Sequence, residues 1–182
     1  MNIVLIGYRG SGKSTVGMRI ARCLEMTFVD TDDLLEKHHG MSISDMVKAH
    51  GWEYFRAAEK DIIKEVADMN HLVIAPGGGA VLDTDNVIAL RKNGIILWLK
   101  ADLQTLLKRM NQDPETYFRR PTLTGKGTLE ELEEMISVRE PFYQRSSQIQ
   151  IDTSALEAEE VVEYVLTTLA GLNLNLNLRL NL

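Results

Sequence analysis

The chain has 182 residues, with 20 Lys and Arg against 26 Asp and Glu, for a formal charge of −6. That length supports one domain around one core. The acidic balance argues against a broad nucleic-acid or anionic-membrane surface, so any cations that meet phosphate must be gathered locally. The single cysteine, Cys23, cannot form an internal disulfide, which suits a reducing compartment. It falls in the first helical pattern, where the expected role is a small buried hydrophobe. No apolar run is long enough to span a bilayer and the first one is too short for a signal peptide, so the expected location is the cytoplasm.

The first apolar run, residues 3–6, leads directly into Gly7-Tyr8-Arg9-Gly10-Ser11-Gly12-Lys13-Ser14-Thr15. This matches the phosphate-loop pattern G-x-x-x-x-G-K-[ST] at every fixed position, with a strand before it and a helix after it. Gly10, Ser11, Gly12 and Thr15 would turn main-chain N–H groups around a phosphate, Lys13 would reach the β- and γ-phosphates, and Ser14 would offer its hydroxyl to Mg²⁺. A second run, 27–29, is followed by Asp30-Thr31-Asp32-Asp33. Asp33 reads as a first-turn acid favoured by the helix dipole. Asp30 and Asp32, two apart at a strand end, can serve one cleft, one near a metal and one near a substrate hydroxyl.

Ser42, three residues before Asp45, reads as a helix cap, and Gly40 as a helix stop. Further on, Arg56 and Glu59 lie three apart on one helical face. They are either an ordinary surface ion pair or an arginine held by its glutamate for a substrate carboxylate. A third run, 72–75, ends at Pro76-Gly77-Gly78-Gly79, where three glycines imply either close approach of main chain to a ligand or a plain flexible turn. Gly94 stands where a helix should stop, ahead of a fourth run at 95–99.

Residues 111–127 lack periodicity and carry Arg119, Arg120, Gly125, Lys126 and Gly127, the composition of a mobile lid over phosphates or of a disordered surface loop. Thr128 would cap the next helix, on which Arg139 faces either the cleft or solvent. A fifth run, 149–151, precedes Ser154, a further expected cap, and a helix that stops near Gly171. Residues 172–182 alternate leucine mostly with asparagine, a low-complexity tail with a period of two. Five apolar runs alternating with helical patterns predict an α/β fold, a parallel sheet flanked by helices, with ligand sites at the carboxyl ends of the strands.

The ordered set resembles the shikimate kinase family: the phosphate loop, Asp30-x-Asp32, Phe55-Arg56 with Glu59, Gly77-Gly78-Gly79, Arg120-Pro121, and Arg139-x-Pro141-x-Tyr143. The resemblance runs from the first strand to about Thr153. It implies a five-stranded parallel sheet of the P-loop NTPase, nucleoside-monophosphate-kinase type, in a single domain over residues 1–171 with a lid at about 111–127. It further implies transfer of the ATP γ-phosphoryl group to the 3-hydroxyl of shikimate, with Mg²⁺ as cofactor and ATP and shikimate as small-molecule partners, no nucleic acid or membrane partner, and a monomeric state. On this resemblance Lys13, Asp32 and Arg120 are catalytic, Asp32 as base. Asp30 with Ser14 holds the metal, Arg56 and Arg139 clamp the shikimate carboxylate, and Gly77, Gly78 and Gly79 lie against its ring.

The chain departs from the family pattern in three places. Pro76 supplies no hydroxyl where Ser or Thr is common, and the lid looks long. Ser154-Ala155 stand where a basic residue often stacks near adenine, leaving Arg109 as the adenine-side candidate. A related small-molecule kinase, for gluconate or a nucleoside monophosphate, shares the loop but does not need the paired Arg56 and Arg139. An ATP-sensing regulator on the same fold should have lost a catalytic acid or the lid arginine.

Overall fold

A computed structural model describes residues 1–112 and 129–172. Five parallel strands form one sheet: β1 (Asn2–Ile6), β2 (Thr27–Asp30), β3 (Leu72–Ala75), β4 (Gly94–Lys100) and β5 (Ile149–Asp152), in the order β2-β3-β1-β4-β5. Each matches one of the five apolar runs: β3 coincides with its run, β1, β2 and β5 add one residue at one end, and β4 adds one at each end, where ladder pairing continues. Asn2, for instance, pairs with Gly94, and Asp30 with Ala75. Asn2 is 1% exposed because its side-chain amide donates to the Met69 carbonyl (2.9 Å) and accepts from the Leu72 N–H (3.1 Å).

Seven helices are described: α1 (Lys13–Cys23), α2 (Thr31–His39), α3 (Ile43–Asp68), α4 (Thr84–Lys92), α5 (Leu103–Gln112), α6 (Leu129–Ser146) and α7 (Ala158–Gly171). They cover both faces of the sheet, which is why the inner strands β1, β3 and β4 read as near-continuous apolar runs, whereas the edge strands carry Thr27 and Asp30 in β2 and Gln150 and Asp152 in β5. Alternation along β1 divides the core in two. Ile3 and Leu5 face α1 and α7, joining Val16, Ile20, Val162, Val165 and Leu169. Val4 and Ile6 face α3 and α4, joining Ile63, Val66, Val87, Leu90 and Tyr143. Each such side chain, removed from water, contributes about 1.5–3 kcal/mol.

Helix ends follow local chemistry. The Ser42 hydroxyl accepts from the Asp45 N–H (3.1 Å), as the spacing predicts, and Gly40 closes α2 in the left-handed conformation. α3 is broken at Gly51, whose φ of 85° departs from helical geometry. The expected cap at Ser154 is wrong. Asp152 takes the Ser154 hydroxyl (2.6 Å) and N–H (2.9 Å), so Ser154 closes a turn after β5, and α7 begins at Ala158. There the Glu157 N–H donates to Glu160 (2.8 Å). The reading of Cys23 as buried is also wrong: it is exposed, because the inward face of α1 is taken by Val16, Gly17, Ile20 and Ala21. Thr128 and the tail 173–182 lie outside the described residues, and α5 continues through Gln112, past the expected start of the lid at 111. Among the described residues no helix is long and apolar enough to cross a membrane.

Gly94 follows a helix, as expected, but its main service is to β4, of which it is the first residue. A Cβ there would lie 2.7 Å from the Leu90 carbonyl oxygen and 3.1 Å from Val4. Gly94→Ala should therefore lower unfolding stability by about 1–3 kcal/mol through overpacking, read from the shift in the urea midpoint. An unchanged midpoint would show that α4 and β4 have slack at this corner.

Candidate active site

The strand order changes direction around β1, and in such sheets the ligand crevice opens beyond the carboxyl ends of the strands at that point. The loop leaving β1 stands there. Gly10 and Gly12 adopt φ values of 78° and 91°, conformations that side chains rarely take. The turn delivers the chain into α1 with its N-terminus unblocked. Helices α2, α3 and α4 are capped by the side chains of Asp30, Ser42 and Asp83, whereas no side chain among the described residues caps α1 and its first turn holds no acid. Its open N–H groups and positive dipole end have the chemistry that attracts an anion. Lys13 sits beside them, its Nζ donating to the carbonyls of Gly7 and Tyr8 at 3.0 Å each.

Around this loop lies a cleft of about 600 Å³. Its lining includes the basic residues Arg9, Lys13, Arg56, Lys108, Arg109 and Arg139 against the acids Asp30, Asp32 and Glu157. A chain of net charge −6 thus gathers cations in one place. The same cleft is lined by Gly10, Ser11, Gly12, Ser14, Thr15, Gly77 and Gly78, so nearly every candidate in the described residues converges on it.

At the end of β2, Asp30 caps α2 by accepting from the Asp32 N–H (3.0 Å), and its other carboxylate oxygen accepts from the Ser14 hydroxyl (2.8 Å). A hydroxyl and a carboxylate joined beside a phosphate loop are the hard oxygen donors that suit Mg²⁺. Among the described residues no group of three or more His, Cys, Asp or Glu could hold a metal, so such an ion would complete its shell with phosphate and water. Burial first, and the Asp32 charge next, raise the Asp30 carboxyl above its ordinary 3.8; the Ser14 hydrogen bond works against them. A cation there would relieve the crowding of negative charge. Asp32 is half-buried and lines the cleft.

On α3, Arg56 forms an ion pair with Glu59, whose side chain is 2% exposed against 33% for the arginine. The pair is therefore not an ordinary surface one: a buried glutamate fixes a guanidinium that stays partly accessible. Phe55 lies under the same guanidinium at 5.0 Å and Trp52 at 5.8 Å. The glycine triplet is packed against this arrangement. A Cβ at Gly79 would come within 2.6 Å of the Arg56 guanidinium, and one at Gly78 within 3.3 Å of the Gly7 carbonyl. The close approach expected of these glycines is therefore made to protein neighbours, and the turn joins the arginine to the phosphate loop. Thr31 accepts from the Gly77 N–H (3.2 Å) and Tyr143 donates to the Gly78 carbonyl (2.6 Å), so the turn is not a loose one. Arg139 on α6 faces the cleft, with Nη1 3.8 Å from the position of a Gly78 Cβ.

At the opposite end Arg109 donates to the Thr153 hydroxyl (3.0 Å) and to the carbonyls of Thr153 (2.7 Å) and Leu156 (3.2 Å). Its guanidinium thus ties α5 to the turn after β5. Arg119 and Arg120, with the expected lid, lie outside the described residues. Thr31, Tyr143 and Thr153 were not singled out from the sequence for these roles. Tyr143 stood in the quoted Arg139-x-Pro141-x-Tyr143 segment, the one signal pointing toward it.

A family-wide sequence profile described as shikimate kinase matches residues 9–170. A shikimate kinase from Caldanaerobacter subterraneus subsp. tengcongensis is 41% identical over 165 residues, which cover 91% of this chain and 94% of that protein. The chain belongs to the shikimate kinase family. It is an ATP-dependent phosphotransferase, as that family is. The solved structure of the Acinetobacter baumannii enzyme in complex with shikimate superposes with a TM-score of 0.87 at 29% identity, covering 95% of this chain and 94% of that one. A gluconokinase from Sinorhizobium meliloti, 19% identical with a TM-score of 0.56 over 94% of this chain and 92% of that one, shares the fold.

Because the folded-state pKa of Asp30 lies above its unfolded value, ionising it opposes folding. That penalty grows as pH rises from the ordinary carboxyl value and is complete above the raised one. Asp30→Asn keeps the cap acceptor and removes the charge. At neutral pH without ligand it should raise Tm by about 2–4 °C, measured by calorimetry. A lower Tm would mean that the ionised carboxylate stabilises the apo fold.

Proposed function

We propose that this chain transfers the γ-phosphoryl group of ATP to the 3-hydroxyl of shikimate, and that the cleft divides the work between its two ends. One observation carries the reading: two guanidiniums, Arg56 and Arg139, converge on the Gly78–Gly79 turn, and that turn abuts the phosphate loop through the Gly7 carbonyl. An acceptor carrying one carboxylate and several hydroxyls matches such a pocket. Its carboxylate is taken by the two planar guanidiniums, its ring lies against the glycines, and one hydroxyl is directed toward the phosphates.

In this division the N–H groups of residues 10–15 and the ammonium of Lys13 bind the β- and γ-phosphates. Lys13 then exchanges its two loop carbonyls for phosphate oxygens. Asp32 accepts the hydrogen of the attacking hydroxyl as general base. Ser14 and Asp30 would hold Mg²⁺, which when bound neutralises phosphate oxygens. Arg109 sits at the adenine end. Positioning and charge neutralisation supply most of the rate, as phosphoryl transfer requires little covalent chemistry of a protein. We read the protein as a cytoplasmic monomer acting on small-molecule substrates.

A coupled ADP-release assay tests the acceptor. Shikimate should support turnover, while gluconate and nucleoside monophosphates should not; Asp32→Asn should lower kcat by about 100-fold or more with nucleotide binding retained. Turnover with gluconate equal to that with shikimate would overturn the proposal.

The clamp is checked separately. Arg56→Lys and Arg139→Lys lose the planar fork, and each should raise the KM for shikimate by about 10-fold while the KM for ATP shifts far less. Equal shifts in both constants would assign these arginines to the nucleotide or to the fold.

A further inference from the structure

Tyr8 fills a variable position of the phosphate-loop pattern, where phosphate binding places no demand on the side chain. It is nevertheless 4% exposed, packed with Leu106 and Met110 of α5 and Leu132 of α6. The guanidinium carbon of Arg139 lies over its ring, 5.4 Å from the centroid, within the distance at which the negative face of an aromatic ring attracts a cation. Its main chain is anchored in the loop: the Tyr8 carbonyl accepts from Lys13 Nζ (3.0 Å) and from the Ser11 N–H (3.2 Å).

The two arginines of the acceptor pocket are therefore held by different means. Arg56 is oriented by a buried carboxylate, which also neutralises part of its charge. Arg139 has no carboxylate within ion-pair distance among the described residues; its side-chain neighbours are the Tyr8 ring and Met135 Sδ at 3.7 Å. An aromatic face orients a guanidinium without occupying its N–H donors in hydrogen bonds.

We propose that Tyr8 is a positioning residue for the acceptor. Its ring fixes the Arg139 guanidinium beside the Gly78 turn with no donor taken by a carboxylate among the described residues and one Nη2 hydrogen bond to Met135 Sδ, and ties the carboxylate clamp to the loop that binds the nucleotide. This rests on the reading of Arg139 as part of the clamp. The hydroxyl of Tyr8 has no hydrogen-bond partner among the described residues, so the ring is the part assigned the work.

Steady-state kinetics of Tyr8→Leu, Tyr8→Phe, Arg139→Lys and the Tyr8→Leu/Arg139→Lys double variant test it. Tyr8→Leu should raise the KM for shikimate by about 5-fold or more, with smaller changes in kcat and in the KM for ATP. Tyr8→Phe, which restores the ring, should recover most of that loss. The double variant should be little worse than Arg139→Lys alone, since the ring acts through the guanidinium. A Tyr8→Leu variant with unchanged shikimate KM beside an impaired Arg139→Lys overturns the proposal while leaving the clamp intact. Equal rises in both KM values, or full additivity in the double variant, also overturn it. An Arg139→Lys variant with normal shikimate KM overturns the clamp reading itself. Should Tyr8→Leu melt near the assay temperature, Tyr8→Met, apolar and more adaptable in packing, is to be read by the same criteria.

Discussion

The uncapped N-terminus of α1, set directly behind the central strand β1, is the constraint on which the rest of the structure depends. Main-chain N–H groups and a helix dipole cannot be moved independently of the backbone, so the position of an anion is fixed once β1 and α1 are packed. Residues that touch no ligand secure that packing. Ile3 and Leu5 hold the strand against α1, while Val16 and Ile20 hold the helix against the sheet. A polar cap on α1, as on α2, α3 or α4, would occupy one of the same N–H groups and compete with a phosphate for it.

Everything else in the cleft is placed by reference to that loop. Asp30 reaches it through Ser14, and Arg139 through the ring of Tyr8. The glycine turn reaches it through the contact between Gly78 and the Gly7 carbonyl, and the same turn lies against Arg56. The glycines thus let three structural pieces come together: the β1 loop, the turn after β3 and the arginine of α3. Tyr143 anchors the turn from a fourth, α6, while stacking on Trp98 of β4 at 5.7 Å. Such an interlocked arrangement limits the freedom of the reacting groups, which is where phosphoryl transfer gains most of its rate.

Much of this was legible in the sequence because its signals are local. A buried parallel strand is a near-continuous apolar run, as in β1, β3 and β4, and the two edge strands showed as shorter runs broken by polar residues. The phosphate loop is a contiguous pattern whose geometry is set by its own glycines. The failures were of a different kind. Ser154 has the spacing of a cap, but Asp152, two residues earlier, competes for its hydroxyl, and the outcome depends on how the turn after β5 packs. Cys23 lies in a helical pattern, but which face of α1 is inward depends on the sheet. Whether the Arg56–Glu59 pair is superficial or buried is likewise a property of the assembled core, and nothing within four residues of it decides the matter. The neighbour of Gly79 turned out to be a side chain 23 positions earlier, a pairing that no local pattern expresses.

The most direct test of this account is a crystal structure of the protein with a non-hydrolysable ATP analogue, Mg²⁺ and shikimate. The account predicts Lys13 Nζ displaced from the carbonyls of Gly7 and Tyr8 onto the phosphates, the shikimate carboxylate between Arg56 and Arg139, and its 3-hydroxyl facing Asp32. A carboxylate bound away from both arginines, or a hydroxyl directed elsewhere than Asp32 and the γ-phosphate, would contradict it.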